Sequence, residues 1–192
     1  MENLYLIVAY VLGTRAIGIN GDLLWNLLKP DMRNFVAVTK GGILIVGRKT
    51  NDSFRKQLPG RHVIVVTNDL EYQPKYEVTN KSKIWKRHSI EDGLALAEIL
   101  VDDVHEGEQN RKIFIAGGEQ IYKQFLESSS FLPYEIIATE VDAPGLDGDA
   151  YFPPLPEYQY DEIPSLTQSF EKSEESEYAF KIKILRFSTF SA

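Results

Sequence analysis

The sequence predicts an α/β fold: a single domain over residues 1–192, with a mostly parallel central sheet of about eight strands flanked by helices and an antiparallel hairpin at the C-terminal end. Three observations predict it. Continuous apolar runs of strand length recur through the first two thirds of the chain, as in strands buried on both faces. Between them lie stretches with apolar residues at helical spacing. From Tyr134 onward, two strand-like runs follow with no helical stretch between them.

The elements follow in order. Leu4–Ala9 (LYLIVA) reads as a buried strand, and Tyr10–Leu24 as a Gly-containing loop. Pro30 and Asp31 start a helix that runs to Thr39, with Met32, Phe35 and Val36 at helical spacing; Pro suits a first turn and an acid suits the helix dipole. Ile43–Val46 is a second buried strand, ending at Gly47. His62–Thr67 is a third, after a Pro59-Gly60 turn. Ile90–Val101 carries Leu94, Ala97, Ile99 and Leu100 at helical spacing. Lys112–Ala116 is a short buried strand; Gly117-Gly118 then leads into a helix through Ile121, Tyr122, Phe125 and Leu126. Tyr134–Val141 and Tyr178–Phe187 are the late strands, the second alternating Phe180, Ile182 and Ile184 with lysines. The charged run Lys172–Glu177 between them reads as a solvated hairpin tip. No internal repeat or low-complexity linker interrupts the chain.

Composition excludes several classes. A chain of 192 residues, 43% hydrophobic and 26% charged, buries a core without staples. It holds no Cys, so disulfides, thiolate metal sites and Cys nucleophiles are out. No metal site is expected. The net charge of −7, with 28 acidic against 21 basic residues, argues against general nucleic-acid binding but not against a small anionic ligand held by a few local cations. The longest apolar runs fall far short of the ~20 residues that span a bilayer, and Met1-Glu2-Asn3 lacks a basic signal-peptide start. A cytoplasmic monomer with no membrane contact is the expectation.

Four constellations could carry chemistry. In Ala116-Gly117-Gly118-Glu119-Gln120-Ile121-Tyr122 a strand runs through two glycines into a helix start, where backbone N–H groups and partial positive charge suit a phosphate. A tight strand-to-helix turn explains the same residues, and the third glycine of a dinucleotide fingerprint is missing. Gly47-Arg48-Lys49-Thr50 places two cations and a hydroxyl after a strand, where a helix could begin; alone it reads as a surface basic pair. Leu58-Pro59-Gly60-Arg61 is a turn followed by a cation that, alone, reads as solvated. Asp31, six residues after Trp25 and on the face of its helix that carries Phe35, is either a capping acid or a carboxyl desolvated for proton chemistry.

Their order carries more than any one of them. Ile17-Gly18-Ile19-Asn20-Gly21-Asp22-Leu23-Leu24-Trp25, Asp31 to Phe35, Gly47-Arg48-Lys49-Thr50, Leu58-Pro59-Gly60-Arg61, Gly117-Gly118 with Tyr122, Thr139, and Gly148-Asp149 with Phe152-Pro153 together resemble the dihydrofolate reductase family over roughly Leu4 to Pro153. The resemblance implies NADPH-dependent reduction of dihydrofolate to tetrahydrofolate, for one-carbon metabolism and thymidylate and purine synthesis. It implies that Asp31 grips the pterin's 2-amino group and adjacent ring nitrogen and favours protonation of nitrogen 5, with Trp25 supporting a water network. Ile7, Ala9, Phe35 and Phe54 would line the pocket, with the Ile7 and Ala116 carbonyls at the ring's exocyclic edge and Tyr122 beside them. Thr139 would hydrogen-bond Asp31 from behind. Arg61, helped by Lys56, would pair with the glutamate carboxylate.

For NADPH, the same resemblance implies that Arg48, Lys49 and Thr50, after Gly47, grip phosphate. Ala116, Gly117, Gly118, Glu119, Gln120, Ile121 and Tyr122 would wrap the pyrophosphate side. Thr67, Asn68 and His88 would meet the adenosine and its 2′-phosphate. The loop of Ala16, Ile17, Gly18, Asn20, Gly21 and Asp22 would close over the nicotinamide beside Ala9. The chain departs from the family pattern at Leu24, where Pro is usual, at Asn51, where Trp is usual, and at Ala116, where a larger aliphatic is usual. The other readings are a reductase of a related heterocycle on the same fold, as in riboflavin synthesis, and a non-catalytic nucleotide or pterin binder.

Overall fold

The computed structural model describes residues 2–26, 28–56, 58–74, 82–102, 111–128, 132–155 and 160–188; Met1 of the N-terminal expectation lies outside them. The strands are β1 (Leu4–Val11), β2 (Ala16–Gly18), β3 (Ile43–Gly47), β4 (His62–Val66), β5 (Ile84–Arg87), β6 (Ile113–Ile115), β7 (Glu135–Asp142), β8 (Ala150–Tyr151), β9 (Tyr160–Glu162), β10 (Gln168–Phe170) and β11 (Ala179–Phe187). The helices are α1 (Lys29–Thr39), α2 (Arg48–Ser53), α3 (Ile90–Asp102) and α4 (Glu119–Glu127), with a 3-10 turn at Pro164–Leu166.

The main sheet runs β10-β11-β7-β1-β6-β3-β4-β5, with β9 also paired to β11. Every pair from β7 to β5 is parallel, while β11 is antiparallel to β7, β9 and β10. The expected α/β class and antiparallel C-terminal end are therefore present, supported by helices over the parallel strands. β1 feeds both faces of the sheet, because successive side chains point to opposite sides. Leu4, Leu6 and Val8 join the cluster that packs against α3 and α4, through Leu94, Ala97, Ile121 and Phe125. Tyr5, Ile7 and Val11 join the other, with Leu44, Val46, Phe114 and Ile137. This double burial is why the parallel strands read as unbroken apolar runs.

Three expectations need correction, and one strand went unread. The stretch Tyr10–Leu24 is not all loop: β1 continues to Val11, and β2 pairs with β8. Ile84–Arg87 is a strand at the parallel edge, half-buried throughout and so without an apolar run to announce it. The two late strands are not a simple hairpin, because β8, β9, the 3-10 turn and β10 lie between them; the true hairpin is β10–β11. Its tip is not merely solvated. Ser176 is fully buried and bridges Leu28, the Glu175 carbonyl accepts the Lys29 N–H at 2.9 Å, and the Glu175 carboxylate pairs with Arg33 at 2.8 Å. The tip thereby meets a backbone donor at the start of α1, whose N-cap Leu28 offers no side-chain acceptor. No helix among the described residues is long and apolar enough to cross a membrane.

Candidate functional site

Gly47-Arg48-Lys49-Thr50, Thr67-Asn68, His88 and Ala116-Gly117-Gly118 follow the C-terminal ends of β3, β4, β5 and β6, one edge of the parallel sheet. In open α/β sheets that edge is where ligands bind. α1 packs Phe35 and Val38 against the sheet face of Tyr5, Ile7 and Val46, and its own face Asp31–Phe35–Thr39 repeats every four residues and so forms one line along the helix.

Asp31 is the polar end of that line. Its Oδ1 accepts the Thr139 hydroxyl at 2.7 Å, from the middle of β7. Its carboxyl is therefore engaged across the cleft, and α1 shows no side-chain cap bond, so the capping-acid reading falls. Burial pushes the Asp31 carboxyl above the usual carboxylate range; the Thr139 hydroxyl, donating to the charged form, pulls it partly back. Trp25 is buried in the same apolar cluster as Ile7, with Ala9, Phe35, Phe54 and Ala116 packed against that cluster. The residues expected around a pterin ring are thus brought together. Tyr122, fully buried in α4, donates its hydroxyl to the Ile7 carbonyl at 2.7 Å, and burial raises its pKa.

Arg61 is the other end. Contrary to the bare reading of a solvated cation, it is 4% exposed. Its Nη1 donates to Thr39 Oγ1 at 3.0 Å, its guanidinium carbon lies 5.8 Å from the Phe35 ring centroid, and its buried Nε has no partner. Burial lowers its pKa, because charge without water is unfavourable. Lys56 is exposed and lines the same small cavity as Phe54, Leu58, Arg61, Ser82 and Asn51.

The glycine pair forms a second element. The Gly117-Gly118 peptide is cis, and Gly117 has φ +98°. The Gly47 N–H donates to the Gly117 carbonyl at 2.7 Å. A Cβ on Gly118 would lie 3.1 Å from Thr50 Oγ1, and one on Gly47 would lie 3.2 Å from Ile121. Two strand ends therefore approach closely, and a side chain at either glycine would press on Thr50 or Ile121; they form a cradle with Arg48 and Lys49 exposed beside it. The leading N–H groups of α4, at Glu119 and Gln120, have no acceptor within the helix. This donor set fits a dinucleotide phosphate. Thr67 and His88 are neighbours at the far end, the His88 ring Nδ1 lying 3.3 Å from the Thr67 carbonyl, with Asn68 exposed next to them.

The 16–22 segment closes as a tight hairpin. Ile19 and Asp22 exchange two backbone bonds of 3.0 Å, around Asn20 (φ 52°) and Gly21 (φ 82°). Asn-Gly is the usual sequence of such a turn, a signal in the sequence that went unread. Asp149 fastens it: Asn20 N–H donates to Asp149 Oδ2 at 2.9 Å, and Asp149 N–H donates to the Gly18 carbonyl at 3.0 Å. Gly148 permits this approach, since a Cβ there would lie 2.2 Å from the Gly18 oxygen. Ala16 and Gly18 are buried, Ile17 partly so, and Asp22 faces Arg55 at 3.9 Å. Sequence reasoning also missed Tyr72, which packs against α2 and meets Asn51 and Asp52.

A family model described as dihydrofolate reductase matches residues 3–186. The chain is 32% identical over 154 residues to the dihydrofolate reductase HdrB of Haloferax volcanii, covering 78% of this chain and 70% of that one. It is 30% identical over 169 residues to the dihydrofolate reductase of Lactococcus lactis, covering 87% and 88%. A solved structure, dihydrofolate reductase from Enterococcus faecalis complexed with NADP(H) and RAB-propyl, superposes with a TM-score of 0.75 at 22% identity, over 96% of each chain.

Proposed function

The chain belongs to the dihydrofolate reductase family, a family of NADPH-dependent oxidoreductases, and from that premise we propose that it reduces 7,8-dihydrofolate to tetrahydrofolate, serving one-carbon metabolism. The observation that carries the reading is the line along α1. It has a half-buried carboxyl at Asp31, an aromatic at Phe35 and, held by Thr39, the buried guanidinium of Arg61. Eight residues of helix separate the ends, about 12 Å. A ligand that fits has a hydrogen-bond-donating heterocycle at one end and a carboxylate at the other, as dihydrofolate has.

NADPH, when bound, supplies the hydride. The cradle of Gly47, Arg48, Lys49, Thr50, Gly117 and Gly118 holds its phosphates, and Thr67, Asn68 and His88 meet its adenosine end. Asp31 holds the pterin's amino group and ring nitrogen, and its raised pKa favours delivery of a proton to the ring. Arg61 orients the substrate by its carboxylate. The Asp149-fastened hairpin at 19–22 and the Trp25 cluster exclude water from the reacting atoms.

The test follows loss of NADPH absorbance with dihydrofolate, alongside NADH, with and without a 2,4-diaminopyrimidine antifolate. Fast, antifolate-sensitive loss with NADPH is expected. Asp31→Asn should keep the fold and lose most turnover near neutral pH; unchanged turnover removes Asp31 from the chemistry.

A further inference from the structure

The family pattern places Trp where this chain has Asn51, and the structure fills that place differently. Asn51 is 1% exposed and Tyr72, arriving from the segment after β4, is 8% exposed. Asn51 Nδ2 donates to the Tyr72 hydroxyl at 2.8 Å, and that hydroxyl donates to Asp52 Oδ1 at 2.6 Å. The other Asp52 oxygen, Oδ2, lies 3.9 Å from Arg48 Nη1, and the Arg48 guanidinium carbon lies 6.0 Å from the Tyr72 ring centroid. One hydroxyl therefore joins the helix that carries Arg48 to the segment that begins at Thr67 and Asn68.

On the reading that Arg48 grips the cofactor's phosphates, we infer that Tyr72 is a positioning residue for NADPH: its hydroxyl occupies one oxygen of Asp52 and so keeps Asp52 from closing on Arg48. At 3.9 Å the Arg48–Asp52 pair is loose, and Arg48 retains a face for an anionic ligand. Without the hydroxyl, a carboxylate with a vacant oxygen one helical turn away competes with that ligand for the same guanidinium. A bond chain of this kind also strengthens its own members, because each donor polarises the next.

The experiment measures NADPH dissociation by fluorescence at low and high salt, with dihydrofolate KM and thermal unfolding alongside. Tyr72→Phe keeps the ring and removes only the hydroxyl. It should weaken NADPH about three- to tenfold, the scale of one lost hydrogen bond, flatten the salt dependence and leave dihydrofolate KM unmoved. Adding Asp52→Asn to Tyr72→Phe should restore the affinity, since the competing charge is gone; a packing role for Tyr72 predicts a further loss instead. Asp52→Asn alone should bind NADPH at least as tightly as the parent, and this variant carries the test if Tyr72→Phe does not fold. Unchanged affinity in Tyr72→Phe, no rescue in the double variant, or weaker binding in Asp52→Asn overturns the inference alone. A parent that binds no NADPH overturns the proposed function with it.

Discussion

Replacing Thr139 by Val removes one hydroxyl from the centre of β7 and changes little else, because the strand position suits a β-branched residue. The hydroxyl donates to Asp31 Oδ1 at 2.7 Å, and Thr139 is 3% exposed, so water does not replace it. A hydrogen bond to a charged acceptor contributes about 2 kcal/mol. Losing it shifts the Asp31 equilibrium roughly thirtyfold toward the neutral acid. The sign for stability follows from Asp31 sitting above its unfolded value. Between the two pKa values the folded chain binds more protons than the unfolded one, so the contribution of this group is fully present below the unfolded pKa and lost as pH rises through the folded pKa. Thr139→Val extends that loss to higher pH. Compared with the parent, the variant should therefore lose more stability at pH 8 than at pH 5. If protonated Asp31 favours the reaction, the fall in turnover at high pH should also move upward. Thermal unfolding at both pH values and a pH profile of dihydrofolate reduction check this. A profile identical to the parent's, with no pH-dependent difference in unfolding, refutes the coupling of Thr139 to Asp31.

Arg61→Met should raise the melting temperature of the free protein, by about 1–2 kcal/mol of stability, because it replaces a buried charge with no carboxylate partner among the described residues by an apolar chain. The same variant should raise dihydrofolate KM at least a hundredfold; a KM left near the parent's shows that the substrate carboxylate lies elsewhere. Gly117→Ala places a Cβ 2.9 Å from the Tyr122 hydroxyl at a φ of +98°. It should cost about 2–4 kcal/mol and lower the melting temperature by about 5–15 °C. A melting temperature within 1–2 °C of the parent's, roughly the scale of a neutral change, shows that the cradle relaxes.

Much of this protein was legible from local pattern. Parallel strands buried on both faces leave unbroken apolar runs, and β1, β3, β4 and β6 were read that way. Helix α1 announced itself by Pro30 and by apolar spacing, and α3 and α4 by spacing alone. The strands that escaped are short or half-buried. β5 shows no fully buried position, and β8, β9 and β10 have two or three residues each, too few for any period. The hairpin tip was read as solvated because its composition is charged, yet its docking uses a backbone carbonyl at Glu175, which composition does not report.

The sequence by itself determined the α/β class and the antiparallel C-terminal end, and its resemblance to a family named the short roster of residues proposed to bind phosphate, a carboxylate and a pterin. Tertiary structure alone decided how those residues meet. Asp31 and Thr139 stand 108 positions apart, and their contact exists because β7 pairs with β1 in the register that sets Thr139 beside Ala9. Arg61 meets Thr39 only because β3, which follows α1, pairs with β4, which follows Arg61, in the register that sets Ile43 beside His62. Tyr72 reaches Asn51 and Asp52 only because the end of β4 lies beside the end of β3. Apolar periodicity records which face of an element is buried. Strand register and strand order come from the burial of all the strands together, and no local stretch of residues carries them.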